Sequence, residues 1–396
     1  MNPVSRKAPT TEAQRRLAYF TERRDAIVST IRELVEIESP SDNKAAVDRI
    51  AEAVAQKFSQ LGDNVKGKFN VRVHPAKDRG NHLQVDFPGN SAAKPVLLLG
   101  HYDTVYPLGT LAAMPCRAED NKLTGPGVLD MKSGIALMLH ALRGLQQWHG
   151  GLPRPVTVLL VSDEEVGSDS SRPITESLAK AAAAVLVLEP AHGYQGAVKT
   201  ARKGVGGYLV KVTGKAAHAG LDFQKGANAI LELARQIETI SSFTDLKKGL
   251  TVNVGVVSGG SRTNVVPAEA AAQVDVRIAR IKDAAGIDKK MRSLRPFNRK
   301  CKIEISGGIN RPPMERTAGV AALYAQAAAI ARELGWKLGE AAVGGGSDGN
   351  FTAGLGIPTL DGLGAVGDGA HAPHEHILIS ELPRRAAFIA GLIEQA

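Results

Sequence analysis

Only two cysteines occur in 396 residues, Cys116 and Cys301. They stand far apart and in no zinc-ligand spacing, which excludes a disulfide framework and a thiolate metal site and leaves reduced, structural thiols. Aromatic residues make up 4% of the chain, and no helix-turn-helix, zinc-finger or aromatic-rich RNA-binding pattern is present. The net charge of +9 therefore does not read as a nucleic-acid footprint. Much of the excess lies at Arg6, Lys7, Arg15, Arg16, Arg23 and Arg24, and the remainder fits an anionic small substrate. No apolar run reaches membrane-spanning length, and Met1 to Ala26 lacks a signal-peptide apolar core. The expectation is a cytoplasmic protein with neither membrane nor nucleic acid as partner. Two glycine-rich stretches are decoys. Gly362-Leu-Gly364-Ala-Val-Gly367 follows an expected strand, but Gly369, His371 and Pro373 come next instead of a helix, so it is no dinucleotide fingerprint. The Gly344 loop lacks the Lys-Ser/Thr ending of a phosphate-binding loop.

Against these absences stand three apolar strands that end in chemistry. Val156-Thr-Val-Leu-Leu-Val161, bounded by Pro155 and Gly167, reads as a strand buried on both faces. Asp163, Glu164 and Glu165 follow it directly. Pro95-Val-Leu-Leu-Leu-Gly100 runs into His101-Tyr-Asp103, and Ala184-Val-Leu-Val-Leu188 runs into Glu189-Pro190. In open α/β sheets ligands bind at the carboxyl ends of the strands, so acids there are badly placed for mere solubility. A turn or a cap accounts for any one of them. Three repeats of one design point to a metal site rich in oxygen and nitrogen donors on a sheet edge.

The length suggests two domains. Residues 12–60 are expected to be helical, broken near Ser39-Pro40-Ser41-Asp42. Ile27, Ile31, Leu34 and Val35 give one buried face, and Glu38 ends that stripe. A loop, Leu123 to Asp130, leads into a helix with Ile135, Met138, Leu139, Leu142 and Leu145 on one side. Asp130 sits at the junction, where helix N-cap is the competing role. Then come a strand at 208–213, a helix at 227–240, strands at 251–257 and 269–278, a helix at 282–294 and a strand at 301–306. This β-α-β-β-α-β order is the ferredoxin-like unit, and metal-type residues resume only after it, so it reads as an insertion. A helix from Thr317, the Gly344 loop, a strand at 357–360, a glycine-rich stretch to His376 and a helix from Glu381 close an α/β layer structure.

Two divalent ions sharing one site need about five or six N/O ligands and a bridging group. The candidates are His101, Asp130, Glu165, Glu189 and a late histidine. The adjacent acids Glu164 and Glu165 suit divided labour, one on metal and the other free as a base. His101-Tyr-Asp103-Thr-Val, Gly127-Val-Leu-Asp130-Met-Lys-Ser-Gly, Asp163-Glu164-Glu165-Val-Gly-Ser and Glu189-Pro190, in this order and spacing, resemble the M20 dinuclear zinc peptidases and deacylases. Within them the glutamate carboxypeptidase branch is most similar, over nearly the whole chain.

The resemblance implies a fold and a set of roles. The fold is α/β: an exopeptidase-type catalytic domain with a mixed, largely parallel sheet (1–202 and 312–396), plus a ferredoxin-like α+β dimerisation or lid domain inserted at 203–311. Two Zn2+ are implied as cofactors, with Co2+ or Mn2+ serving in vitro. Asp130 would bridge them, His101 and Glu189 completing one metal and Glu165 with a late histidine the other. His371 is preferred over His374 and His376, because the family's ligand follows a Gly-rich stretch and precedes a small residue and an acid, as in His371-Ala-Pro-His-Glu375. His374 and His376 are expected at the surface, and His140 and His192 are read as structural. Asp103 would accept a hydrogen bond from His101 and fix its tautomer, and Glu164 would be the general base.

In the insertion, Lys215-Ala-Ala-His218-Ala-Gly220 resembles the family's histidine that reaches a neighbouring subunit's active site and stabilises the oxyanion, which implies a homodimer through 203–311. Asn264, in Thr263-Asn264-Val-Val-Pro267, and Arg277, in Asp275-Val-Arg277, resemble the pieces that hold the substrate carboxylate. A guanidinium fork suits that group, although on residue type alone a strand-face ion pair explains Arg277 equally well. Lys199 and Arg311 fall near the domain junctions, where the glutamate-specific branch has basic substrate contacts, and Gly346 and Ser347 join them as substrate-binding candidates. The function implied is an exopeptidase or carboxypeptidase that cleaves the amide bond to a C-terminal amino acid with a free carboxylate, glutamate or another acidic residue. Its substrate is a small peptide or N-acyl amino acid. The alternative is an N-acyl-amino-acid deacylase of the acetylornithine or succinyl-diaminopimelate type. A binding protein that kept the fold without hydrolysis would have lost Glu164 or a ligand, and none is missing.

Overall fold

The computed structural model describes residues 11–62 and 69–395; Arg6 and Lys7 lie outside the described residues. The chain divides into two compact units. One takes in the chain up to Thr200, Arg316–Ala342 and the stretch from Ser347 on, and the other is Ala201–Glu315 with Val343–Gly346.

The first unit is built on a six-stranded sheet in the order Asn70–His74, His82–Phe87, Val156–Val161, Val96–His101, Ala184–Val187, Thr359–Leu360. The first two strands pair antiparallel and the other four run parallel. The Val96, Val156 and Ala184 strands are buried along their whole length, which is why each is an unbroken apolar run and not an alternating one. One face packs on the main core with the helices Ser133–His149 and Leu382–Gln395. On the other face Leu97, Leu99, Leu159 and Val187 meet Ala179 and Leu178 of the helix Arg172–Ala181. Because these three strands are parallel neighbours, their carboxyl ends lie at one edge of the sheet.

Two details differ from the sequence expectation. The N-terminal helical region breaks at Arg23 as well as near Ser39, giving helices Glu12–Glu22, Arg24–Val35 and Lys44–Gly62. Arg23 leaves helical geometry with its guanidinium 3.7 Å above the Tyr19 ring. The antiparallel strands Asn70–His74 and His82–Phe87 have no counterpart in that expectation; the second alternates apolar and polar residues, yet His82 and Gln84 are buried along with Leu83, Val85 and Phe87. A second small sheet joins Gly367–Asp368, His376–Leu378, Lys122–Thr124 and Arg117–Glu119, and so carries the late histidines to the loop that ends in Asp130.

The second unit has a four-stranded antiparallel sheet in the order Thr251–Gly259, Glu269–Ile278, Gly204–Thr213, Lys302–Arg311. Its helices are Ala229–Ser241 and Ala284–Arg292, which completes the β-α-β-β-α-β order. Tyr208, Val210, Val212, Val274 and Val276 share one buried core with Leu233 and Met291 of the helices. Alternate residues, Asp275 and Arg277 among them, are only partly buried. Among the described residues no helix is long and apolar enough to cross a membrane.

Candidate metal centre

His101 is the last residue of its strand. Its Nδ1 lies 3.0 Å from the Asp103 main-chain oxygen and 3.4 Å from the Asp103 carboxylate. Its Nε2 lies 3.2 Å from Asp130 Oδ1 and 3.4 Å from Glu189 Oε1. On the other side, His371 Nε2 lies 3.3 Å from Asp130 Oδ2 and 3.1 Å from Glu165 Oε1. The two Asp130 oxygens thus face two different histidines, each accompanied by its own glutamate. Glu164 joins the first side: its carboxylate, the His101 imidazole and the Glu189 carboxylate come within 4.8 Å of one another, as do His101, Asp130 and Glu165.

Local structure explains how these side chains are presented. Asp130 lies in a distorted turn, Val128–Lys132, with φ −113° and ψ 95°. The helix after it starts at Ser133 without a side-chain cap, so Asp130 is not an N-cap. Glu164 and Glu165 open a short turn, Glu164–Val166, directly beyond the Val156 strand, and the turn ends at left-handed Gly167. Their main-chain N–H groups donate to the fully buried Asp103 carboxylate at 3.3 and 3.2 Å, and the Ser41 hydroxyl donates to it at 2.6 Å. Asp163 fixes the far end of that turn by accepting from the Ser170 N–H (2.8 Å) and hydroxyl (2.7 Å). The helix break supplies Ser41 and also Ser39, whose hydroxyl donates to the Tyr102 oxygen at 2.7 Å. Glu38 accepts from the N–H groups of Gly109 and Leu111, both at 2.9 Å. His371 has a φ of +64°, a left-handed backbone that costs a non-glycine residue roughly 1–2 kcal/mol; such strain clusters at functional sites.

Electrostatics follow from this crowding. Burial disfavours the charge on Asp130, but hydrogen bonds from His101 and His371 outweigh it and hold the carboxyl well below its usual range. Burial pushes Glu165 up. Asp130 and Glu165 raise His371 to about 10. Burial works against a charged His101, yet hydrogen bonds to Asp103, Asp130 and Glu189 carry it well above the ordinary value. Five carboxylates, those of Asp103, Asp130, Glu164, Glu165 and Glu189, converge on two imidazoles, and the field calls for positive charge. Donors that are all imidazole nitrogen and carboxylate oxygen suit zinc, manganese or cobalt, so the residues present fit a pair of divalent cations.

The other expected residues are placed as follows. Lys199 is buried and pairs through its main chain with Asp361 (N–H to oxygen, 2.7 Å). Ser347 is fully buried, and its hydroxyl donates to Asp361 Oδ2 at 2.6 Å. The Gly346 oxygen accepts from Arg202 Nη1 at 3.1 Å, and Arg311 is buried at the end of its strand. Arg277 forms a two-pronged ion pair with Asp275 (2.9 Å from both Nε and Nη2) on the same strand face. Asn264 is exposed, with its main-chain oxygen accepting from Ala219. His218 is exposed; its Nδ1 accepts from the N–H groups of Gly220 (3.1 Å) and Leu221 (3.2 Å), which places the ring proton on Nε2.

Among the other histidines, His374 is exposed and His140 is buried against the Thr30 hydroxyl at 3.0 Å. His376, expected at the surface, is instead 5% exposed. It pairs in the small sheet opposite Thr124, and its Nε2 meets the Tyr194 hydroxyl at 3.2 Å. Sequence reasoning missed Glu375 and Lys132. Lys132 is buried and donates to the Ile37 oxygen at 2.8 Å. Glu375 accepts from the main chain of the Asp130 turn. In the sequence the acid is only the end of the His371-Ala-Pro-His-Glu375 motif, and nothing in its type announces those partners.

Comparison with known proteins gives a consistent result. The model of peptidase family M20/M25/M40 matches residues 97–395. Carboxypeptidase G2 of Pseudomonas sp. (strain RS-16) is 32% identical over 380 residues, covering 94% of this chain and 90% of that protein. Among solved structures, aminopeptidase PepT from Bacillus cereus superposes with a TM-score of 0.76 at 23% identity, covering 94% of this chain and 98% of the other. The YXEP protein of Bacillus subtilis, described as a dinuclear metal binding peptidase, gives 0.68 at 15% identity, with coverage of 94% and 98%.

Proposed function

Because the chain belongs to peptidase family M20/M25/M40 and is a metallopeptidase, we propose that it is a dinuclear zinc carboxypeptidase that releases a C-terminal amino acid, glutamate or another acidic residue, from a small peptide or N-acyl donor. One observation carries the metal part. Asp130 turns Oδ1 to the His101–Glu189 side and Oδ2 to the His371–Glu165 side, as a carboxylate must to serve two cations at once. When bound, such cations polarise the scissile carbonyl and make water a nucleophile near neutral pH.

The chain's own groups do the rest. Glu164, beside His101 and Glu189, takes the proton of the attacking water and passes it to the leaving amine. Asp103 holds the His101 ring through Nδ1, which leaves Nε2 as the ligand atom, and anchors the main chain of both glutamates. His218 carries its proton on Nε2, as a donor to a developing oxyanion requires. In this reading it serves the partner subunit's centre in a homodimer formed through residues 203–311. Arg277, aligned by Asp275, receives the substrate carboxylate with Asn264. Lys199 and Arg311 are the basic residues assigned to an acidic substrate side chain, with Gly346 and Ser347 as further substrate-binding candidates. The two free thiols accord with a cytoplasmic site of action.

A panel of peptidyl-, acetyl- and succinyl-amino acids, assayed with and without chelator, tests the reading. Chelator-sensitive turnover is expected to be fastest on donors ending in glutamate or aspartate. Faster turnover of acetylornithine or succinyl-diaminopimelate would make the enzyme a deacylase, and chelator-resistant turnover would remove the metal.

A further inference from the structure

The Glu375 carboxylate is fully buried and accepts four hydrogen bonds. Oε1 takes the main-chain N–H groups of Leu129 (2.7 Å) and Asp130 (2.9 Å). Oε2 takes the N–H of Gly127 (3.1 Å) and the hydroxyl of Tyr106 (2.6 Å). An ionised carboxylate is an acceptor with about four lone-pair sites, and here each is met by a donor. Three of the donors belong to the turn that presents Asp130, and the fourth to the loop after Asp103. Glu375 also stands four residues after His371, and its own N–H closes that turn by donating to Ala372 at 3.0 Å. One side chain thus ties the Asp130 turn to the His371 turn across a sequence separation of 245 residues.

Building on the metal-centre reading above, we propose that Glu375 is a positioning residue of that centre: a carboxylate strut that sets the separation of Asp130 Oδ2 and His371 Nε2. That separation, 3.3 Å here, governs how tightly the Glu165–His371 half holds a divalent cation. Glu375 acts through main chain, so its effect reaches the cation only by way of Asp130 and His371. A glutamine of the same shape shows why the charge matters. Its amide oxygen keeps the bonds to Leu129 and Asp130, but its NH2 faces the Gly127 N–H, donor against donor. The Tyr106 hydroxyl can rotate to accept; the Gly127 N–H cannot. The turn must then move at its Gly127 end and take Asp130 with it.

The test is a Co2+ titration of metal-free wild type, Glu375→Gln and Tyr106→Phe, reading the visible cobalt bands, the affinity of each equivalent and far-UV circular dichroism, with kcat and KM on the reloaded proteins. Wild type is expected to bind two equivalents. Glu375→Gln keeps the wild-type circular dichroism, loosens the weaker equivalent by roughly 10–100-fold, shifts the cobalt bands and lowers kcat more than it raises KM. Tyr106→Phe, which leaves the three N–H bonds intact, loosens it by a few-fold. Wild-type cobalt affinity and bands in Glu375→Gln overturn the strut. Should that variant fail to fold, unchanged cobalt affinity in Tyr106→Phe overturns it. A wild type that binds no cobalt refutes the metal centre itself and the strut with it, so the wild-type stoichiometry tests the first reading and the variant-to-wild-type ratio tests the second.

Discussion

Gly134 is the residue at which the Asp130 side of the centre meets the Glu189 side, and replacing it with alanine tests whether their spacing matters. It lies in the first turn of the Ser133–His149 helix, directly after the Asp130 turn. A Cβ there would fall deep inside contact distance of the Leu188 main-chain oxygen and 2.7 Å from Met131 Cε. Leu188 immediately precedes Glu189, and its N–H is held by the Leu99 oxygen at 3.0 Å, so the oxygen has little room to yield. Opening the clash to ordinary van der Waals separation takes a shift of about 1 Å, shared between the helix start and the Glu189 segment. Overpacking of this kind costs about 1–3 kcal/mol, a fall in melting temperature of ~2–12 °C at ~2–4 °C per kcal/mol. A displacement of about 1 Å between catalytic groups costs on the order of 100-fold in rate. Gly134→Ala should therefore lose far more turnover than stability, read by kcat on an N-acyl glutamate and by calorimetry. Wild-type kcat in a variant destabilised as above would refute the claim that this contact sets the site.

Three further outcomes follow from the structure. Glu164→Gln should lower kcat by about 10²–10⁴-fold with metal content unchanged by mass spectrometry; because Glu164 lies beside His101 and Glu189, loss of one metal equivalent would make it a ligand instead. Burial lowers His140 from 6.5 to about 4, with Arg143 and Lys57 adding to the effect. Between those pH values the unfolded chain binds a proton the folded one refuses, so stability present above pH 6.5 is lost as pH falls through 4, at most about 3.5 kcal/mol at ~1.4 kcal/mol per unit. Urea midpoints at pH 7.5 and 5 should converge in His140→Gln, and an unchanged pH slope would contradict this. Buried Arg385 donates to the oxygens of Gly364 (2.8 Å), Gly196 (3.0 Å) and Gly362 (2.7 Å). Arg385→Met leaves three carbonyls unsatisfied and should cost about 3 kcal/mol or more in denaturant unfolding, whereas a loss below about 1 kcal/mol would show that the clamp is dispensable.

The candidate metal centre was legible because its proposed ligands sit where periodicity stops. Each of three apolar strands runs straight into an acid or an imidazole, and parallel neighbours must end together, so chain order alone placed His101, Glu165 and Glu189 at one edge. The Gly362–Gly367 decoy was legible for a related reason. Gly364 needs no side chain because a Cβ would lie 2.8 Å from the Glu189 oxygen, which is close main-chain packing and not a phosphate cradle. What stayed hidden was set by contacts distant in sequence. His376 is buried by a three-residue strand, too short to leave a pattern, and Glu375 earns its place from N–H groups some 245 residues away. The helix break at Arg23 was invisible because arginine is a good helix former and the departure rests on its seat over Tyr19. In the second unit the β-α-β-β-α-β order could be read from alternation, but the Asp275 partner of Arg277 shows how the same pattern serves an ion pair.

Metal content is the measurement that bears most directly on the account. Purified protein and its Asp130→Ala variant are compared by mass spectrometry of bound metal, with turnover measured before and after chelation and after zinc is returned. Since Oδ1 and Oδ2 of Asp130 face different halves of the cluster, wild type should hold two divalent cations per chain, lose turnover on chelation and regain it with zinc, and the variant should be depleted at both positions. Full activity in a metal-free wild type, or an Asp130→Ala variant that keeps both cations, would contradict it.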